Sequence, residues 1–442
     1  MPRRPSHSAL AVCAALLACS GFVLGSATHA AADGNAMQLG EAYRLALQQS
    51  EQVHIAASTR DLAETTYTEA LTAMGPNIIV SSRGVYQNRA VGVNAPGEPS
   101  TGVLQPYYFN ANVTLTQPII RRNVVDVRRA ARIGIQSADQ SLQRTRQQLM
   151  FDVASVFIAV LSARQQITIS QSAIRRAETQ VQNAAGRVKA GGALPTATLL
   201  AQIELNRAQT SANTALGNLR AQESDFERLV GVRPPENLVL PPTPKYGEAA
   251  EALRTAPMQR ADLRALRLTT LQTKATVTAI QNLIFWPTFD VNLFAGYTIQ
   301  STSNGVPADY RFPIYGVSGV LSVPLLSGGH EWTQLKSQRQ RVSISADQES
   351  FLRRQISDDV RTAIARLETA VKSIEIATEQ QRTAQKNYDL VSTHYKLGVS
   401  TLLELVTAQQ AVFEAESNKA LASYERELST YQLLFAEGNI TM

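Results

Sequence analysis

No proline interrupts the chain between Pro118 and Pro195, and none follows Pro324. Both tracts are built mainly from Ala, Gln, Arg, Glu, Leu and Thr, most of them strong helix formers. The first predicts a helix from about Val124 to Arg187 and the second one from about Trp332 to Tyr395. At ~1.5 Å per residue each is on the order of 95 Å long, a reach beyond any globular domain.

The two tracts are copies of one unit. Aligning Val188-Lys189-Ala190-Gly191 with Tyr395-Lys396-Leu397-Gly398 sets an offset of 207 residues. That register places Asp152-Val153 on Asp359-Val360, Phe157 on Ile364, Val160 on Leu367, Ile167 on Ile374 and Ala201-Gln202 on Ala408-Gln409. An offset of 211 places Pro76 on Pro287 and Tyr86 on Tyr297. One register held across a whole half marks a duplication. The expected organisation is a leader over 1–32, a first repeat over 33–236, a Pro-rich linker over 237–247 and a second repeat over 248–442. Each repeat opens with a helix. A β-hairpin follows, over 76–118 in the first and 287–324 in the second, and then long helices over 119–232 and 325–437.

The apolar register of the helices is narrow. Ile356, Val360, Ala363, Leu367, Ala370, Ile374 and Ala377 alternate steps of four and three, and Gln381, Ala384, Tyr388, Val391 and Tyr395 continue the rhythm. Met150, Val153, Phe157 and Val160 start it in the first copy, where it then meets Arg164 and Gln171. A sustained heptad seam predicts coiled-coil packing. Its polar flanks leave two sides of each helix free for water, as the wall of a tube requires and a solid core does not. Glycines Gly191, Gly192 and Gly398 sit where helices turn back, and Pro195 opens the next helix.

Four shorter stretches alternate with the period of a strand. Phe109, Ala111, Val113 and Leu115 interleave with Asn110, Asn112, Thr114 and Thr116; Phe289, Val291, Leu293, Ala295, Tyr297 and Ile299 share one face of a second stretch. Weaker alternation runs near Ile78–Asn88 and Tyr315–Val323. Each is about as long as the nine to eleven residues of a membrane-spanning strand. Four strands cannot close a membrane barrel alone, because an open edge in lipid leaves backbone groups unpaired. Two, three or four copies of the chain would have to share one barrel.

The N-terminus supports an envelope location. Arg3 and Arg4 precede an apolar stretch from Ala9 to Leu24, which ends in Ala30-Ala31-Ala32. This has the form of a secretory signal peptide cleaved before Asp33; a lipid on Cys19, within Leu16-Leu17-Ala18-Cys19, is the rival reading. Cys13 and Cys19 are the only cysteines, so cleavage would leave no disulfides. Beyond residue 32 no stretch reads as an apolar transmembrane helix. No G-x-x-x-x-G-K-[ST] loop, nucleophile–base pair or metal-ligand spacing supports an enzyme, and no cofactor is expected. His54, His330 and His394 are scattered, and Asp358-Asp359 reads as a solvated helix face. Arg121, Arg122, Arg128, Arg129 and Arg132 crowd a helix start against its dipole, at lipid headgroups or in water. No basic cluster interleaved with aromatics points to nucleic acid.

A leader, duplicated strand–long helix–turn–helix units and the motif Ser322-Val323-Pro324-Leu325-Leu326-Ser327-Gly328-Gly329 together resemble the TolC family of outer-membrane efflux proteins. Thr116-Gln117-Pro118-Ile119-Ile120 is the weaker counterpart of that motif. The resemblance runs from Met37-Gln38-Leu39 to about Phe435. It implies an α+β membrane protein whose four strands per chain join a trimeric 12-stranded outer-membrane β-barrel, continued by a long α-helical coiled-coil periplasmic barrel. It implies as partners a homotrimer, a periplasmic adaptor (membrane fusion) protein, an inner-membrane transporter of ABC type, and outer-membrane lipid. The function it implies is export, and the lack of a convincing lipobox turns the expectation toward type I protein secretion of a toxin-like cargo. Small-molecule or multidrug efflux is the alternative, and a non-conducting periplasmic coiled-coil scaffold is the rival from another class.

The resemblance also locates candidate residues. The family's tunnel narrows near the helical turns, where acidic rings control cation entry. Glu404 matches the first of these carboxylates, and in a trimer three would face one axis, raising one another's pKa and attracting cations. Thr407 stands at the second acidic position, Ser400 where a gate arginine is expected, and Ala197 where the first turn is expected to carry an acid. Glu404 and Thr407 are thus the pore-constriction candidates. Gly191, Gly192, Ala193, Leu397, Gly398, Val399 and Ser400 are the helix-tip candidates for adaptor contact.

Overall fold

The computed structural model describes residues 36–86, 91–92, 103–104, 107–242, 249–300, 310–323 and 328–440. The leader and Cys19 lie outside the described residues. In chain order the elements are β1 (Met37–Gln38), α1 (Leu39–Gln49), α2 (Glu51–Thr72), β2 (Asn77–Tyr86), β3 (Val91–Gly92), β4 (Val103–Leu104), β5 (Tyr107–Ile120), α3 (Arg122–Lys189) and α4 (Pro195–Val230). The second half follows with β6 (Leu238–Val239), α5 (Ala249–Gln259), α6 (Ala261–Phe285), β7 (Thr288–Gln300), β8 (Tyr310–Ser322), α7 (His330–Lys396) and α8 (Leu402–Glu437).

The two proline-free tracts form helices of 68 and 67 residues, each beginning within two residues of the expected position. The heptad seam of α7 is buried at Ile356, Val360, Ala363, Leu367, Ala370 and Ala377. In α3 the seam is buried at Met150, Val153, Phe157 and Val160 and resumes at Ile169, Ala173, Ala177 and Ala184. The rhythm breaks at Arg164 because that side chain leaves the seam. Its guanidinium donates to the carbonyl oxygens of Pro235 at 2.7 Å and Glu236 at 2.8 Å, fixing the chain that enters the linker. One 18-residue window of α3 is, after all, apolar enough in composition to cross a membrane. Its helix carries Val153, Phe157 and Val160 at 0% exposure in the main core, so the apolarity serves helix packing.

The core lies where the short helices wrap the long ones. Leu39, Tyr43, Phe157, Phe226 and Val230 form one cluster from α1, α3 and α4; Ala256, Leu263, Ile356, Val360 and Leu433 form a second from α5, α6, α7 and α8. A two-residue parallel pairing of β1 with β6 ties the start of the first repeat to the linker that precedes the second. This waist also holds a buried ion cluster. Arg260, 5% exposed at its side chain, pairs with Asp262 and with Asp359 at 2.7 Å. Asp358 is exposed as expected, whereas Asp359, its side chain 39% exposed, is also the partner of a buried arginine. Sequence pattern misses the pairing because its two residues lie 99 positions apart.

Four strands form one sheet in the order β2-β5-β7-β8, all antiparallel. Cross-strand pairs Phe109–Ile299, Ala111–Tyr297, Val113–Ala295 and Leu115–Leu293 put both expected apolar sets on one side. The opposite side pairs Asn110 with Thr298 and Thr116 with Asn292, and both pairs are hydrogen bonded, at 2.9 Å and 2.7 Å. Phe294 interrupts the polar side because it covers Gly316, where a Cβ would come within 2.7 Å of its ring. Among the described residues the outer strands β2 and β8 leave both sheet edges unpaired.

Candidate functional site: a two-faced sheet above paired helical tips

Large apolar side chains on one side of the sheet point away from the protein. Val80 is 76%, Val317 71% and Tyr315 81% exposed. In water such a surface is unfavourable by about 25 cal/mol for each Å² left uncovered; hydrocarbon removes that cost. The other side carries a ladder of Asn and Thr along its central strands, extended by the Ser81–Asn112 hydrogen bond at 2.6 Å. At its helical end Asp290 forms a two-pronged ion pair with Arg121. A sheet with one side for lipid and one for water is the wall of a membrane pore.

Below the sheet the clustered arginines divide by partner. Arg121 binds Asp290, Arg128 donates to the last carbonyls of α2 at Ala70 and Leu71, and Arg122 lies 5.9 Å from the centre of the Trp286 ring. Phe285 and Trp332 meet edge to face beside them. Arg129 and Arg132 are exposed. Sequence could show the cluster but not which members are capped or paired.

The far ends of the long helices carry the second half of the site. Both turns close by the same bonds. Gly191 and Gly398 take φ of +76° and +80°, a left-handed conformation that glycine adopts without steric cost. The Gly192 N–H reaches the Arg187 carbonyl and the Val399 N–H reaches the His394 carbonyl, at 2.8 Å and 2.9 Å, the bond pattern of a Schellman cap. Thus Gly191, Gly192, Ala193, Leu397, Gly398, Val399 and Ser400 occupy the two tips, with Leu397 and Val399 more than 70% exposed.

The two tips are joined. Ala184 and Ala201 of the first helical hairpin pack with Tyr395, Leu402, Leu405 and Val406 of the second. Arg187 donates to the carbonyls of Tyr395 and Lys396 at 2.7 Å and 3.1 Å, meeting the negative end of α7. Farther up, Arg176 and Glu416 pair at 3.0 Å, and Gln166 bonds Ser417. Sequence reasoning missed Arg187; its only signal is a cation in a helix's last turn.

Glu404 and Thr407 are both exposed near the start of α8. The Glu404 carboxylate accepts the Thr401 N–H at 2.8 Å while the Thr401 hydroxyl accepts the Glu404 N–H at 3.2 Å, a capping box. The equivalent positions in the first repeat are Leu194 and Ala197, where no side chain caps α4. The two tips therefore differ in charge as well as in capping. Among the described residues no group of three His, Cys, Asp or Glu side chains could hold a metal ion.

Comparison with known proteins agrees with this architecture. A family model described as "Outer membrane efflux protein" matches residues 42–232 and 252–439, one block per repeat. The chain belongs to the outer membrane efflux protein family. It is 21% identical to the outer membrane protein TolC of Escherichia coli over 421 residues, covering 92% of this chain and 83% of that one. It is 22% identical to the alkaline protease secretion protein AprF of Pseudomonas aeruginosa, covering 92% and 85%. It is also 22% identical to the outer membrane efflux protein BepC of Brucella suis over 71% of this chain and 68% of that one. Among solved structures, the Campylobacter jejuni CmeC outer membrane channel superposes with a TM-score of 0.75 at 14% identity, covering 91% and 85%.

For a member of this family the two-faced sheet is the protein's share of a trimeric outer-membrane barrel, and the long helices are its share of a periplasmic tunnel. The relatives named are an outer membrane protein, a protease secretion protein and an outer membrane channel. As an efflux-family channel the chain works within a tripartite export assembly.

Proposed function

We propose that this protein is the outer-membrane exit duct of a type I secretion system, carrying an unfolded protein cargo from an ABC-type inner-membrane transporter, through a periplasmic adaptor, to the exterior. The sheet carries the duct reading, because one side pairs Asn and Thr across its central strands while the other exposes Val80, Tyr315 and Val317. The protein-cargo reading is supported by likeness to AprF along 92% of the chain. Similarity to BepC, named an efflux protein, supports small-molecule efflux as the second reading.

Within the duct, the exposed tips at Gly191–Ala193 and Leu397–Ser400 receive the adaptor. Glu404 and Thr407 line the narrow end, where Glu404 forms a ring of three carboxylates that draws cations inward. Lipid covers the apolar side of the sheet.

A deletion strain tests the cargo. Loss of one or a few extracellular proteins, restored by the wild-type gene and with unchanged drug susceptibility, is the expected result. Unchanged secretion with raised intracellular dye and drug accumulation would overturn the protein cargo and select efflux.

A further inference from the structure

The internal repeat relates the strands of the first hairpin to those of the second, residue by residue. Two offsets relate the hairpins. β2 maps onto β7 by the 211 residues that carry Pro76 to Pro287, and β5 maps onto β8 by the 206 that carry Thr116-Gln117-Pro118 to Ser322-Val323-Pro324. The observed pairing agrees with their sum, and the two proline anchors divide it between the strands. Asn77–Thr116 maps onto Thr288–Ser322, Ile78–Leu115 onto Phe289–Leu321 and Tyr86–Tyr107 onto Tyr297–Pro313, and each of these is a pair in the sheet.

The chain contains one junction between repeats, β5 with β7. A closed ring of repeats needs the same junction between chains, where β8 takes the place of β5 and β2 the place of β7. Within the chain β2 and β8 are the two edges left open, and closure in lipid requires them to pair. We infer that the next copy of this chain docks on β8 in the register obtained by applying both offsets to the β5–β7 pairs. Leu115–Leu293 then becomes Leu321 opposite Ser82 of the neighbouring copy. Gln117–Val291 becomes Val323 opposite Val80, Asn112–Gly296 becomes Ser318 opposite Val85, and Ala111–Tyr297 becomes Val317 opposite Tyr86.

The side chains fit this seam. Val80, Tyr86, Val317 and Val323 are all more than half exposed in the single chain. The inferred register brings them together in pairs on the lipid side, where cross-strand apolar and aromatic contacts stabilise a sheet. On the water side it sets Ser81 opposite Ser322, both exposed. A one-residue slip would oppose apolar and polar sides throughout. Slips of two residues keep the sides matched, and against these the repeat alone decides.

Cysteine pairs read the register directly, because directly opposed strand residues lie within disulfide reach. The inference rests on the trimeric reading, so each variant is first isolated as a trimer by size exclusion in detergent and then oxidised with copper-phenanthroline. Ser82→Cys with Leu321→Cys is expected to give covalent dimers and trimers on denaturing gels. Ser82→Cys combined with Gly319→Cys or Val323→Cys, and the unmodified chain, are expected to remain monomeric. Val85→Cys with Ser318→Cys on the water side repeats the test where the first pair impairs assembly. Trimers that link only through a slipped pair, or through none, would overturn the register. Failure of the unmodified chain to form a trimer would overturn the assembly instead.

Discussion

The Arg187 guanidinium lies 4.3 Å from the centre of the Tyr395 ring and donates to that residue's carbonyl oxygen at 2.7 Å. One side chain thereby holds the last turn of α7 to the last turn of α3, joining the two helical hairpins at their tips. Replacing it leaves the terminal carbonyls of α7 without a charged donor.

Arg187→Ala is expected to cost about 1.5 kcal/mol locally, the lower end for a charge-assisted bond because the site is half open to water. Hydrogen exchange of the 393–400 amides should accelerate about tenfold with the waist unchanged. Arg187→Lys should restore the charge but only part of the protection, since a lysine cannot reach both carbonyls in a fork and stack on the ring.

Leu293→Arg places a charge on the lipid side of the sheet and is expected to cost ~2–4 kcal/mol near the bilayer midplane. Asn292→Arg, one residue away on the water side, should be tolerated. Heat-resistant trimer recovered from outer membranes measures both; equal loss in the two variants would mean that the sides are not differently solvated.

Arg260→Ala removes the cation shared by Asp262 and Asp359 and leaves Asp262 the more distant Arg144, at 3.7 Å. Both carboxylates are partly open to water, so the loss is expected to be about 2 kcal/mol, that of charge-assisted hydrogen bonds, read as a destabilised waist in denaturant unfolding. A double change of Arg260 and Asp359 to apolar residues should recover part of that loss.

Burial pushes the Asp262 carboxyl up, but the hydrogen bond and charge of Arg260 outweigh it and hold the group below its usual range. A depressed folded pKa contributes stability that is complete above the unfolded value of about 3.9 and is lost as pH falls through the folded one. Asp262→Asn should therefore lower the thermal midpoint at pH 7, with the deficit shrinking as pH falls below about 3.9 and through the lowered folded value. Burial raises Asp152 and Glu437, so their contribution has the opposite sign and favours the folded state at acid pH.

Glu404→Gln separates the two roles of that residue. Glutamine at the third helical position preserves the capping box, whereas alanine would lose about 1 kcal/mol of cap. Reduced cation selectivity in the glutamine variant, at unchanged helix stability, is the expected outcome of a bilayer reversal-potential measurement.

Much of this architecture is legible in the amino-acid pattern, because repeated physics repeats in sequence. A seam of Ile356, Val360, Ala363 and Leu367 can only be a long packed helix, and the alternation of Phe109 to Thr116 can only be a two-sided strand. What stays hidden is aperiodic and distant. Arg260 finds Asp359, Arg164 finds the carbonyls of Pro235 and Glu236, and Arg187 finds the end of α7. No spacing announces these bonds, since folding rather than local sequence brings their partners together. Glu404 was visible as a carboxylate after a turn, but the turn's geometry had to be present before its bond to the Thr401 amide could be seen.

Single-channel recording of the purified protein in a planar lipid bilayer tests the central claim most directly. Discrete, reproducible openings, abolished in Leu293→Arg and enlarged in Arg187→Ala, are the predicted result. Absence of conductance from properly assembled trimers, including those in which Arg187→Ala has released the tips, would contradict a conduit and leave a scaffold.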